Sequence, residues 1–228
     1  MHAVLAALAN PARRVERLVA SRNGAQRLPS AVVPDLLEPA AIDALLPAGA
    51  VHQGVALRAE PLADVSLEEA CLPPDGRPVL VLDGVTDPQN VGAVFRAAAG
   101  FSARAVVMQD RKSPPLTGAL AKAAAGAIEM VPHVRAVNLA RALEALAHGG
   151  YVTIGLEGEA ALSLDDALAD GRSPVIVLGA EGAGLRDLVA RTCDLRARIP
   201  IDPRLESLNV AAAAAIALYA AAQRRKAA

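Results

Sequence analysis

From residue 78 onward the chain alternates between short runs that are apolar throughout and longer stretches whose apolar positions recur at helical spacing. The apolar runs are 79–82, 105–108, 128–131, 152–155, 175–178 and 195–199. Helix-like stretches lie between most of them, at 90–100, 118–125, 138–147 and 185–190, and one long helix is predicted over 209–225. Strands without polar alternation are buried on both faces, and strands alternating with helices run parallel. The pattern predicts an α/β fold, a parallel sheet with helices on both faces.

The first 61 residues have a different rhythm. Segments 4–8 and 15–19 look helical or mixed, and 51–57 reads as a strand interrupted by Gly54. Glu68, Glu69, Pro73, Pro74, Asp75 and Gly76 give 62–77 the chemistry of a linker. The expected organisation is a small N-terminal α/β domain (1–61), a linker (62–77) and a larger domain (78–228).

Composition narrows the function. With 54% hydrophobic and 21% charged residues the chain is a folded protein rather than a disordered one. Two Phe, two Tyr and no Trp are too few for a base-stacking platform. A net charge of −1 argues against a bulk nucleic-acid binder but leaves room for a local patch. Such a patch is offered by Arg13, Arg14, Arg17, Arg22 and Arg27, against the one acid Glu16 in residues 1–30. A second cluster is Arg224, Arg225 and Lys226. Cys71 and Cys193 suit neither a zinc cage nor a disulfide framework, and His52, His133 and His148 have no partner at ligand spacing, so no metal is expected. Residues 1–9 have no basic leader pattern, and the longest apolar run, 210–222, falls short of the roughly 20 residues a membrane span needs. A cytoplasmic protein is expected.

Three segments at strand ends carry candidate chemistry, because ligands of open α/β sheets sit beyond the carboxyl ends of the strands. In the first, 82–98, Asn90 stands where a helix cap belongs, and Gly92 and Arg96 share a helix face, with room expected beside the guanidinium for a phosphate or ribose. In the second, 175–185, a buried strand ending in Leu178 runs into Gly179, Gly182 and Gly184 around the carboxylate of Glu181. Glycines there permit close backbone approach to a ligand, although the spacing is not the dinucleotide fingerprint. In the third, 199–209, Ser207 or Asn209 could cap the alanine-rich helix.

Together the order N-x-G-x-x-x-R-x-A, L-G-x-E-x-x-G, I-P-I and S-L-N-V-A resembles the three motifs of the SpoU/TrmH methyltransferases of the SPOUT superfamily. The resemblance runs over 78–223 and includes Gly126-Ala127, Val131-Pro132 and Asn138-Leu139-Ala140. The stretch from Asp83 to Asn90, with His52-Gln53-Gly54-Val55, is most similar to the RlmB-like branch, which methylates guanosine in large-subunit 23S ribosomal RNA. The N-terminal unit resembles that branch's RNA-binding domain but is shorter between Gln26 and Val51.

What the resemblance implies is an S-adenosylmethionine-dependent ribose 2′-O-methyltransferase with a C-terminal trefoil knot, acting on RNA as a homodimer. It implies catalytic positions Asn90, Arg96, Glu181, Ser207 and Asn209 and donor-binding positions Leu178, Gly179, Gly184, Ile199, Pro200, Ile201 and Leu208. Arg96 is expected to clamp a phosphate and stabilise developing alkoxide charge, since a guanidinium with a pKa above about 12 is a poor base. Transfer RNA as the substrate, or methylation of a base on a related knotted fold, are the alternatives.

Overall fold

The computed structural model describes residues 1–227, with the side chains of Lys226 and Ala227 outside the description. Ten strands and ten helices follow one another along these residues. Seven of the strands form one parallel sheet: β4 (Val79–Asp83), β5 (Ala105–Gln109), β6 (His133–Ala136), β7 (Tyr151–Leu156), β8 (Leu162–Ser163), β9 (Ser173–Gly179) and β10 (Leu195–Arg198). Their order is β6-β5-β4-β9-β7-β10-β8, and every pairing is parallel.

The apolar runs fill both faces because side chains alternate along a strand. Leu80, Leu82, Val106, Met108, Ile154, Ile176 and Leu178 enter one core cluster. Val79, Val81, Val107, Tyr151, Val175 and Val177 enter the cluster on the opposite face. The first face is covered by α5 (Pro88–Gly100), α6 (Gly118–Ala123) and α10 (Val210–Ala227). Helices α4 (Leu67–Cys71), α7 (Leu139–His148) and α9 (Asp187–Thr192) cover the second, and α8 (Leu164–Ala167) follows β8. Fully burying each Leu, Val or Ile contributes about 1.5–3 kcal/mol, so these two layers hold most of the fold's stability.

The N-terminal unit is a three-stranded sheet in the order β2-β1-β3, built from β1 (Val15–Ala20), β2 (Asp35–Leu36) and β3 (Val55–Ala59). Around it lie α1 (His2–Ala9), α2 (Arg22–Ala25) and α3 (Pro39–Asp43).

Several expectations change. Residues 15–19, read as helical or mixed, are strand β1, where Leu18 and Ala20 pack with Leu28 and Val55 in a small core of their own. The run 128–131 is not a strand: Ala127–Glu129 is a 3-10 turn, and Ile128 and Val131 are buried beneath α5. The strand beside β5 is instead His133–Ala136, whose polar residues hid it. The stretch 62–77 does more than connect, because α4 puts Ala70 and Cys71 into the core.

The basic N-terminal stretch also differs from expectation. Arg13 donates to Glu129 at 2.7 and 3.1 Å, and Asn10 donates to the other carboxylate oxygen at 2.8 Å. The Arg13 and Glu129 side chains are only 10% and 4% exposed, so Arg13 fastens the N-terminal unit to the larger domain and is not available to RNA. Glu129→Ala leaves that guanidinium buried without its partner, at a cost of about 3 kcal/mol. The expected result is a lower urea midpoint and faster proteolysis near residues 10–14. An unchanged midpoint would mean that the pair adds nothing to the docking.

Candidate active site

Strands β4, β5 and β6 step outward on one side of the sheet, and the later strands fill the other side. The reversal falls between β4 and β9, where Asp83 pairs with Gly179. A crevice outside the carboxyl ends of such a pair is where open α/β sheets bind ligands. All three candidate segments open at this edge.

The first segment supplies α5. Its cap is Asp87, whose carboxylate accepts from the Gln89 and Asn90 amides at 3.2 and 3.1 Å, with Pro88 at the first helical position. Asn90 is therefore not the cap expected from sequence, and its side chain is free for the site. The second segment is the loop after β9, closed by reciprocal bonds between Ala180 and Gly184 (2.8 and 3.2 Å). A Cβ at Gly179 would lie 2.1–2.5 Å from the backbone of Gly184 and Leu185, so only glycine fits there. The third segment enters α10, and Asn209 rather than Ser207 is the cap: its oxygen accepts from Ala211 and Ala212 at 2.9 and 3.3 Å.

These elements converge on Glu181. Its Oε1 accepts from Asn209 Nδ2 at 2.6 Å, from Asn90 Nδ2 at 3.2 Å and from the Val210 amide at 3.4 Å. Asn209 Nδ2 also donates to Asn90 Oδ1 at 2.9 Å. Residues separated by 91 and 28 positions thus form one hydrogen-bonded cluster. Glu181 and Asn209 are exposed and Asn90 is half-buried, which leaves the cluster accessible from solvent.

Two expected members lie apart from it. Arg96 is exposed on α5 and has no hydrogen bond or ion pair among the described residues. Gly92 does not open space beside it: a Cβ there would meet Ala123 Cβ at 2.6 Å and Leu120 O at 2.7 Å, so this glycine lets α5 and α6 approach closely. Ser207 is exposed in the loop before α10 and likewise has no described side-chain bond.

The expected donor positions occupy the same edge. Leu178 is 2% exposed and belongs to the core cluster against which the half-buried Ile199 packs. Ile201 and Leu208 are half-buried, while Pro200 and Gly184 are exposed. Aliphatic walls next to an open, glycine-lined turn can hold a flat heterocycle through apolar contact and backbone groups. Gly179→Ala is expected to cost about 1–3 kcal/mol in stability and to weaken donor binding in calorimetry. Wild-type values for both would mean that the close approach at Gly179 is dispensable.

The sequence reading missed one cluster. Asp83, whose side chain is fully buried, accepts from the Arg186 amide at 2.9 Å and from Arg186 Nε at 2.7 Å. With the Gln109 amide oriented by its hydrogen bonds, its oxygen accepts from both terminal nitrogens of Arg186 at 2.9 and 3.2 Å. The available signal was Asp83 itself, a carboxylate ending a fully apolar strand. A buried charge requires a partner.

Of the remaining N-terminal arginines, Arg14 pairs with Glu60 at 3.5 Å and Arg17 with Asp35 at 3.1 Å. Arg22 and Arg27 are exposed with no ion pair among the described residues. Arg224 and Arg225 close α10, while the Lys226 side chain lies outside the described residues. No helix among the described residues is long and apolar enough to cross a membrane.

The family model of the SpoU rRNA Methylase family matches residues 77–219. A 23S rRNA (guanosine-2′-O-)-methyltransferase, RlmB, from Burkholderia sp is 46% identical over 176 residues, which are 76% of this chain and 71% of that protein. The protein of the same name from Vibrio cholerae is 41% identical over 182 residues, 78% of this chain and 73% of its own. Among solved structures, the SpoU methyltransferase AviRb from Streptomyces viridochromogenes, in complex with AdoMet, superposes with a TM-score of 0.81 at 20% identity, covering 99% of this chain and 88% of that one. An rRNA methyltransferase from Sinorhizobium meliloti gives 0.80 at 23% identity, over 97% and 84% of the two chains. With its motifs gathered at one sheet edge and the family model spanning more than half its length, the chain belongs to the SpoU rRNA methylase family.

Proposed function

We propose that this chain transfers the methyl group of S-adenosylmethionine to the ribose 2′-hydroxyl of a guanosine in large-subunit ribosomal RNA. The observation that carries the reading is the convergence of Asn90, Glu181 and Asn209 from three separate segments at the β4/β9 crevice. The names of the curated relatives supply the substrate and the reaction.

The donor, when bound, supplies an activated methyl group on a sulfonium. Leu178, Gly179, Gly184, Ile199, Pro200, Ile201 and Leu208 would hold it, through apolar walls and backbone groups of the loops after β9 and β10. What remains for the protein is alignment of the hydroxyl and stabilisation of the charge that develops on it. Glu181 directs Oε1 into the protein, and Oε2 has no partner among the described residues. That second oxygen is the acceptor available to orient the ribose hydroxyl. Arg96, exposed and unpaired among the described residues, is suited to a phosphate that arrives with the RNA, and the exposed Ser207 is a second group open to it.

The trefoil knot is part of this reading. It is supported by the chain's order at the edge, where β10 seats between β7 and β8 after β9 has paired with β7, and α10 returns to pack on α5 and β9. A homodimer is supported by the outward row of α10, in which Ile216 and Tyr219 are 42% and 53% exposed. The small N-terminal unit is read as an RNA-binding domain that uses Arg22 and Arg27, with Arg14 and Arg17 exchanging their surface acids for phosphates. Work on ribosomal RNA sets the reaction in the cytoplasm.

The test offers methyl-labelled donor with unmodified 23S ribosomal RNA and, separately, unmodified transfer RNA. Label is expected in the ribosomal pool. Label only in transfer RNA would keep the chemistry and replace the substrate, and donor that fails to bind would overturn the reading.

A further inference from the structure

The N-terminal unit meets the larger domain along a seam beside α6, and contacts on both sides of Met1 fix its parts. Glu129 has both carboxylate oxygens committed across the seam, Oε1 to Arg13 and Oε2 to Asn10. A Cβ on Gly126 would lie 2.6 Å from Ala6 Cβ and 3.4 Å from the His2 carbonyl oxygen, so the start of α1 rests on the turn that follows α6. The Met1 amine in turn lies 3.3 Å from Gln53 Oε1. A Cβ on Gly24 would come within 2.1 Å of the Gly54 carbonyl oxygen, which sets α2 against that same loop.

Two exposed cations flank this seam. Lys122 stands on α6 one turn before Gly126, and Arg27 follows α2. The Met1 amine is held below its ordinary range by partial burial and then by the charges of Arg27 and Lys122, so both cations bear on one spot. Neither forms an ion pair among the described residues, whereas Arg14, Arg17 and Arg58 of the same unit each meet a carboxylate. Like charges brought together without an acid repel, and an anion from outside relieves that repulsion. The row also continues toward the β4/β9 crevice. A Cβ on Gly92 of α5 would meet Ala123 of α6 at 2.6 Å, and Arg96, likewise unpaired among the described residues, stands one turn further along α5. Unmatched cations thus run from Arg96 across Lys122 to Arg27 and span both domains. A row of this kind fits a polyanion rather than one small anion, and backbone phosphates are the polyanion that an RNA substrate brings.

We infer that Lys122 and Arg27 hold the phosphate backbone of the substrate RNA at this seam, so that both domains grip the strand that presents its ribose at the β4/β9 crevice. The inference rests on the RNA methyltransferase reading above and adds to it a phosphate contact on the larger domain, centred on Lys122.

Salt titration of binding to an unmodified 23S ribosomal RNA transcript tests it. Lys122→Gln and Arg27→Gln each remove one exposed charge from the seam. Arg141→Gln is the control, since it removes an exposed charge, unpaired among the described residues, from α7 on the opposite face of the sheet. Each seam variant is expected to raise Kd about sixfold at about 0.1 M salt and to flatten the slope of log Kd against log salt by about 0.8, the share of one phosphate contact. Lys122→Arg should restore both quantities, and Tm and donor Kd should hold in every variant. A merely structural role would lower Tm without flattening the slope. Unchanged Kd and slope in Lys122→Gln, with wild-type protein active on the same transcript, would overturn the seam contact and leave the methyltransferase reading intact. An equal loss in Arg141→Gln would show a bulk charge effect and likewise reject it. Wild-type protein that neither binds nor methylates RNA would remove both.

Discussion

Arg96→Ala is expected to lower kcat for methyl transfer about 10³-fold, in line with removing a principal charge-stabilising donor from an active site. Donor affinity should change by less than about twofold, because Arg96 sits on α5 and makes no bond to the cluster at Glu181 or to the loops after β9 and β10 among the described residues. Stability should also hold, since the side chain is exposed and unpaired. Arg96→Lys should recover only part of the rate, because an ammonium keeps the charge but not the bidentate geometry that suits a phosphate. Single-turnover kinetics alongside calorimetry of donor binding would separate these effects. Donor affinity lost in parallel with rate would show that Arg96 acts on the donor rather than on the RNA.

Glu181→Ala is expected to reduce kcat by at least about 10²-fold, by a different route. The carboxylate oxygen Oε1 gathers Asn90, Asn209 and the first amide of α10, and its removal leaves both amide side chains without their common acceptor. Because Glu181 and Asn209 are exposed and Asn90 is only half-buried, water replaces the lost partner and the loss of stability should stay within about 1 kcal/mol. Glu181→Gln separates position from charge. Its amide oxygen can still accept from Asn90 and Asn209, while an NH2 group replaces the oxygen available to the ribose hydroxyl. If Glu181 only positions the two asparagines, the glutamine variant should retain most of the activity. If it orients the hydroxyl, the variant should resemble Glu181→Ala. Full activity in Glu181→Ala itself would detach the cluster from the chemistry.

How legible all this was depended on whether the signal was local. Strands β4, β5, β7 and β9 are apolar over most of their length, and burial on both faces of a parallel sheet explains why. Strand β6 escaped because His133 and Arg135 interrupt its apolar pattern at the sheet's edge, and the apolar run just before it turned out to be a 3-10 turn under α5. Strand β1 was obscured because Glu16 and Arg17 look helical in isolation, and only pairing with β3 fixes them as extended.

The site shows the same division. Glycine at 179 and a capping residue before α10 are local necessities that could be read from the chain. The capping role of Asp87 was also local, but it was hidden by the more prominent Asn90 three residues later. The contact between Gly92 and α6, the commitment of Arg13 to Glu129, and the brace of Asp83 and Gln109 on Arg186 are long-range contacts. No window of sequence contains both partners of any of them. The charge of the first 30 residues was read correctly as a sum, yet tertiary pairing consumed Arg13 and left Arg22 and Arg27 as the unpaired cations there among the described residues.

The central claim is that the chain methylates a ribose rather than a base, and nucleoside mass spectrometry tests it most directly. The protein and S-adenosylmethionine would be incubated with unmodified 23S ribosomal RNA, and the RNA then digested to single nucleosides. The account predicts one new species, guanosine carrying its extra methyl group on the sugar. A methyl group that fragments with the base, or no new species from protein that binds the donor, would contradict it.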